Sequence, residues 1–376
     1  MSQARVDPSS RAKRRPSLEM DYYEGFQQFF LKTINASHAS EIAIGSQELA
    51  TSEFMEYRNR VLRYYNEKRY RDALEVALAA ADKFRDHDAK TSFWIACLQS
   101  RLGYHDEAIQ TLQGALKRQI WWPDETLQDP DLEPIRSTPE FRAVEAECTR
   151  FRSGLSTQTS PDLVVRVPPG YPERRDWPAL MLFHQRYGEH PLLSSEPWTS
   201  ILSRSMLLAV PWSSQVYASD GRCWDNLESS EKDVSWVFSK LRARYGVNLD
   251  RFILGGFSQG GALSIYVAAK KLVPCRGFVA VGPSDWIVPE EKRAVERKGP
   301  SAAFASLVRS SDCRGLRGVI IIGDKDPFLS KIEELYALML ERGLDGKLLV
   351  EPGLGHEYPE KFGDKLGVAM DFLLGK

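Results

Sequence analysis

Beyond residue 160, apolar runs of strand length alternate with segments of helical period. Runs at 163–167, 179–183, 207–210, 251–255, 277–281, 318–322 and 347–350 are short and bounded by Gly, Pro or charged residues. Between them, 229–245 carries Val234, Val237, Phe238, Leu241 and Tyr245 three and four positions apart, the spacing of one helix face. Segments 330–343 and 360–374 read the same way. Strands alternating with helices predict an α/β fold, a mainly parallel sheet with helices on both faces. Gly318-Val319-Ile320-Ile321-Ile322 is apolar throughout, as an interior strand covered on both sides must be.

The first part of the chain has a different period. From 51 to 118 the pattern is helical and repeats: Tyr70-Arg71-Asp72-Ala73-Leu74-Glu75 is echoed 35 residues on by His105-Asp106-Glu107-Ala108-Ile109-Gln110. Ala77, Ala80 and Ala81 follow the first copy, and Leu112, Ala115 and Leu116 the second. Small residues at such positions let paired helices approach closely, and each copy resembles the second helix of a tetratricopeptide unit. Two copies fall short of the number such repeats need to stand alone, so this region is expected to pack on the domain that follows. Trp121-Trp122-Pro123, Asp129-Pro130-Asp131-Leu132 and Thr138-Pro139-Glu140-Phe141 predict short helices separated by turns. The polar stretch 153–161 reads as a linker. The predicted organisation is a disordered basic tail over 1–20, a helical tetratricopeptide-like domain over 21–155, and an α/β domain over 160–376. The insertion 283–316 within it is expected to form a cap.

Composition narrows the class. Fifty basic and 51 acidic residues leave a formal charge of −1, so no global field draws nucleic acid or a membrane surface. Lys13-Arg14-Arg15 reads as part of the tail, the alternative being a localisation patch. Cys97, Cys148, Cys223, Cys275 and Cys313 are odd in number and scattered, which suits reduced thiols in a cytoplasmic setting. The first residues contain no apolar signal core, and no apolar run approaches the length of a membrane span.

The candidate chemistry gathers at the ends of the predicted strands. Gly256-Phe257-Ser258-Gln259-Gly260 stands between the run 251–255 and a helical segment, the strand–turn–helix setting of a nucleophile elbow. A serine hydroxyl needs a base, and the base needs a third group to orient it. His356, the one histidine after the elbow, follows the strand ending near 350. Gly323-Asp324-Lys325-Asp326-Pro327 follows the strand 318–322 and offers two carboxylates, of which Asp326 is favoured because it lies in the turn and not on the strand edge. The order Ser258, Asp326, His356 is that of α/β-hydrolases. The oxyanion donors are expected from the backbone N–H of Gln259 and from the loop after 183, at Gln185 or Arg186. His184 precedes the elbow and is expected to serve the loop's structure.

Together Gly256-Phe257-Ser258-Gln259-Gly260-Gly261, Gly323-Asp324-Lys325-Asp326-Pro327 and Gly355-His356 resemble the phospholipase/carboxylesterase branch of α/β-hydrolases, the group containing acyl-protein thioesterases. The resemblance runs from about 160 to 376. Cys223-Trp224-Asp225 is similar to the Trp-aromatic-Asp segment those enzymes set beside the active site. Trp224, with Trp286 of the insertion, is therefore an expected substrate contact. His184-Gln185 departs from the family's His-Gly. The resemblance implies hydrolysis of a carboxylic ester or thioester through an acyl-enzyme, without metal or organic cofactor, on a small-molecule substrate. The alternatives are a non-catalytic hydrolase fold, or a helical-repeat protein whose first domain binds a protein partner.

Overall fold

The computed structural model of the 376-residue chain describes residues 46–156, 159–172, 176–188, 190–288 and 299–375. The predicted basic tail, 1–20, lies outside them.

Among the described residues the helical region begins with four helices: α1 (Ser46–Asn66), α2 (Tyr70–Lys83), α3 (Asp88–Arg101) and α4 (His105–Lys117). Each packs on the next. Helix α2 buries Ala73, Val76, Ala77 and Ala80, and α4 buries Ala108, Ile109, Leu112 and Ala115. Ala73, Ala77 and Ala80 each lie 35 positions before Ala108, Leu112 and Ala115 (108 − 73), so the sequence echo is an echo of buried faces. Gly103, at φ +82°, makes the turn between α3 and α4.

The region does not end with these pairs. Two one-turn helices, α5 (Asp124–Leu127) and α6 (Glu133–Arg136), lead to the long α7 (Pro139–Ser156). The Asp129 carboxylate accepts from the Asp131 N–H at 2.9 Å and starts the turn of Pro130–Leu132 between them. These pieces bring Trp121, Leu127, Leu132, Ile135 and Phe141, all fully buried, onto the inner side of α4. Helix α7 continues to Ser156, through the first part of the stretch expected to be a linker.

The α/β domain holds a seven-stranded sheet of order β1-β3-β2-β6-β7-β8-β9. Its strands are β1 (Asp162–Arg166), β2 (Trp177–Phe183), β3 (Leu207–Trp212), β6 (Val247–Phe257), β7 (Gly277–Val281), β8 (Arg317–Gly323) and β9 (Asp345–Glu351). Only β1 runs antiparallel to its neighbour; every other pairing is parallel. One face carries α9 (Leu227–Tyr245), α10 (Gln259–Ala269), α11 (Ala302–Ser310) and α12 (Leu329–Glu341), and the other carries α13 (Phe362–Leu374). Two apolar cores, one on each face, account for the fully buried β2. Burial of this kind contributes about 25 cal/mol per Å² removed from water, the main stabilisation of such a layered fold.

Some elements escaped the sequence pattern. The hairpin β4 (Val216–Ala218) and β5 (Gly221–Arg222) pairs outside the main sheet. The five-residue α8 (Pro191–Ser195) and a 3₁₀ stretch over Glu196–Arg204 fill the connection into β3. Within the insertion 283–316, helix α11 is the crossover between β7 and β8, with Phe304 and Val308 in the sheet core, so this part is no cap. Residues 289–298 of that segment lie outside the described residues.

The two regions touch through the hairpin. Helix α7 packs on β4, Val216 joins the core around Trp121, and the Ser219 N–H donates to the Trp121 carbonyl at 3.2 Å.

Candidate active site

Ser258 stands between β6 and α10 with φ +53° and ψ −121°, a left-sided backbone that non-glycine residues avoid. The neighbouring glycines permit it. A Cβ on Gly256 would come 2.2 Å from the Gly260 carbonyl carbon, and one on Gly260 would come 2.1 Å from the Phe183 carbonyl oxygen. The strand end is held from the side, because the Ser258 N–H donates to the Val281 carbonyl of β7 at 3.0 Å. The hydroxyl is thereby lifted clear of the sheet at the amino end of α10, where the helix dipole favours negative charge.

The turn after β8 presents both candidate carboxylates, and they part company at once. Asp324 is exposed and accepts from the Gly353 N–H at 2.7 Å. Asp326 has its side chain fully buried; it accepts from the Phe328 N–H at 2.9 Å through Oδ1 and meets His356 Nδ1 at 2.7 Å through Oδ2. His356 Nε2 lies 2.9 Å from Ser258 Oγ. With Nδ1 facing a carboxylate, the ring carries its proton there and leaves Nε2 to accept from the serine. The imidazole is clamped by Phe257 at 5.2 Å and Phe328 at 5.3 Å between ring centres. Tyr358 stacks on Phe257 at 4.6 Å and receives the Trp198 N–H at 3.0 Å, anchoring the loop that bears His356. Gly323 must be a glycine here: its Cβ would fall 2.0 Å from the Leu354 carbonyl of that same loop.

His184 is buried, and its hydrogen bonds fix its state. The Ser213 N–H donates to Nε2 at 3.3 Å, so Nδ1 carries the proton and donates to the Gln185 carbonyl at 2.8 Å. Burial, opposed by the bond to Gln185 and reinforced by Arg222, brings its pKa down to about 4. A neutral imidazole with both nitrogens engaged braces the loop after β2.

Trp224 requires a correction as a substrate contact. It is fully buried, stacked on His184 at 4.7 Å, with its indole N–H donated to the His184 carbonyl at 3.0 Å. No face of the ring is open to a ligand; it lies beneath the site and supports the 184–187 loop. Trp286 is only partly buried and packs against the core on the α10 side of the sheet, with the Arg186 guanidinium 5.9 Å from its ring. Gln259 is fully buried, its side chain accepting from the Trp224 N–H at 3.1 Å and donating to Asp225 at 2.8 Å and to the Ile287 carbonyl at 2.7 Å. The Arg186 side chain forms a two-pronged pair with Asp225, at 3.1 and 2.8 Å. Sequence reasoning placed Arg186 in this loop for its backbone and missed the side chain, whose partner lies 39 positions away.

Elsewhere, Cys97, Asp129 and Asp131 have their ligand atoms within 4.8 Å of one another among the described residues. Arg101 Nε lies 2.7 Å from Asp131, and the Tyr65 hydroxyl donates to it at 2.9 Å, so that carboxylate already has its counter-charge. The five cysteines are unpaired, four of them buried. No helix among the described residues is long and apolar enough to cross a membrane.

A mainly parallel sheet entered through a strand–elbow–helix unit defines an α/β-hydrolase domain, here behind a helical domain. Residues 231–298, which include the elbow, match the family model described as Phospholipase/Carboxylesterase. Residues 53–154 match the model described as A/B hydrolase-like, N-terminal domain. The chain therefore carries a phospholipase/carboxylesterase-type hydrolase domain preceded by an A/B hydrolase-like N-terminal domain. No curated protein matches it. Among solved structures, an uncharacterized protein from Bacillus cereus ATCC 10987 is 22% identical, with 85% of this chain and 98% of that chain covered and a TM-score of 0.44. The Bacillus cereus carboxylesterase is 16% identical over 59% of this chain and 99% of its own, with a TM-score of 0.44. A phospholipase/carboxylesterase from Dyadobacter fermentans DSM 18053 is 18% identical over 57% and 97%, with a TM-score of 0.42.

Proposed function

We propose that the chain is a serine hydrolase that cleaves carboxylic esters or thioesters. The observation that carries this reading is the unbroken line from buried Asp326 through His356 to Ser258, at 2.7 and 2.9 Å, ending on a strained elbow. Ser258 Oγ attacks the acyl carbonyl and passes its proton to His356 Nε2. Asp326 keeps the ring in the accepting tautomer and stabilises the imidazolium that forms. The negative oxygen of the tetrahedral adduct takes the Gln259 N–H as one donor. The second comes from the backbone at Gln185 or Arg186, in the loop that Gly260 lets approach the elbow. His356 then protonates the departing alcohol or thiol, leaving an acyl-serine. Water, deprotonated by the same histidine, completes hydrolysis.

A fluorophosphonate forms a stable phosphonyl-serine only with an activated serine. The expected result is labelling of Ser258 alone, with labelling and hydrolysis of p-nitrophenyl esters both lost in Ser258→Ala. Hydrolysis undiminished in that variant would remove Ser258 from the reaction, and an unlabelled, inactive wild-type chain would favour a binding module instead.

A further inference from the structure

Behind the elbow lies a polar chain that the serine chemistry does not require. Gln259 is the residue whose N–H the proposed mechanism uses as an oxyanion donor, and its side chain makes three hydrogen bonds inside the protein. One of them ends on Asp225, a carboxylate only 19% exposed. An anion this close to a site that must stabilise another anion is costly unless something cancels it. Arg186 does so with two nitrogens, at 3.1 and 2.8 Å. The guanidinium is itself 20% exposed and fixed on its other sides: it lies 4.7 Å above the Tyr217 ring, 5.9 Å from that of Trp286, and 3.1 Å from Glu125 Oε1. Glu125 belongs to α5 of the helical domain, and Tyr217 to the hairpin on which α7 packs.

We propose that Arg186 is a positioning residue of this active site. It holds and neutralises Asp225, which holds the Gln259 side chain behind Ser258. Its own place is set partly by the helical domain, which thus enters the geometry of the hydrolytic centre. The proposal rests on the serine-hydrolase reading and deepens it. Magnitudes rank the links. The Arg186–Asp225 pair is two-pronged and largely buried, the strong kind. Glu125 is half exposed, so its link to Arg186 is the weak one. Loss of Arg186 has two effects: Gln259 is freed to shift, and an unmatched negative charge appears beside the oxyanion.

The test uses the full chain, p-nitrophenyl butyrate, and active sites counted by phosphonate titration. Arg186→Gln should lower kcat per titrated site by about 10- to 100-fold, the range expected when a donor in such a site is displaced. KM should stay within about threefold. Removing the charge as well, in Arg186→Gln/Asp225→Asn, should recover most of that loss, because an asparagine can still accept from Gln259 without carrying the anion. Glu125→Gln should cost less than about threefold. A kcat per site unchanged in Arg186→Gln overturns the proposal. So does a double variant no better than the single one, or a loss confined to melting temperature and titrated fraction, since each reduces Arg186 to a structural residue. Failure of the serine reading looks different: Ser258→Ala would then hydrolyse the ester as well as the wild type.

Discussion

Two carboxylates two positions apart in one turn meet different fates, and the reason is local. Asp326 is turned inward by the bond from the Phe328 N–H, whereas Asp324 is occupied capping the Gly353 turn at the surface. Replacing Asp326 by Asn keeps the shape but favours the wrong imidazole tautomer, and kcat should fall by roughly 10² to 10⁴. Asp324→Asn should cost far less, since an amide oxygen can still accept from Gly353; circular dichroism establishes that both variants are folded before rates are compared. A second prediction concerns His184. With its pKa near 4 in the folded chain and about 6.5 unfolded, the unfolded state takes the proton first as pH falls. Its contribution is complete above about pH 6.5 and is lost down to about pH 4, amounting at most to about 3 kcal/mol at 1.36 kcal/mol per unit. In His184→Gln the urea midpoint should start lower at pH 7 and fall less towards pH 4 than in the wild type. The triad candidates were legible because a nucleophile elbow and two strand-end motifs have local signatures. The Arg186–Asp225 pair has none: it joins two loops far apart in sequence, and single-residue chemistry does not announce a partner 39 positions off.

At the scale of elements, the elbow is a packing problem solved by glycine. Gly260→Ala would drive a methyl carbon into the Phe183 carbonyl, and backbone cannot step aside as a side chain can. The variant should be destabilised by at least about 3 kcal/mol, or fail to accumulate in soluble form, and surviving protein should lose phosphonate labelling. A well-folded, fully labelled Gly260→Ala would contradict this packing. Strand and helix order was readable because buried strands are apolar throughout and helices repeat near every 3.6 residues. The β4–β5 hairpin was not, for its strands span three and two residues, too short for alternation to register. Its signal was the turn Ser219-Asp220-Gly221, and its importance comes from what it touches. Trp224 was misjudged for a related reason: a tryptophan near an active site looks the same in sequence whether it faces the pocket or props it from below.

For the molecule as a whole, the repeat count alone suggests that residues 1–155 would fold poorly by themselves. The structure alters that expectation. Helices α5 to α7 close a core around Trp121 and Phe141 to which the hydrolase domain contributes Val216. We therefore expect residues 46–156, expressed alone, to give a cooperative thermal transition below that of the full chain. A featureless melt would mean that the contact through Val216 and the bond from Ser219 to Trp121 matter more than their size suggests.

The sheet order also has a kinetic consequence. Ser258 and His356 are 98 positions apart, and His356 follows β9, an edge strand whose sheet partner is β8 alone. Ordering a loop of that length before its contacts form is slow. During refolding, helical and sheet signals should therefore return before ester hydrolysis does. Competence to react with a phosphonate would then time the seating of the last strand, making the nucleophile a clock for the end of folding.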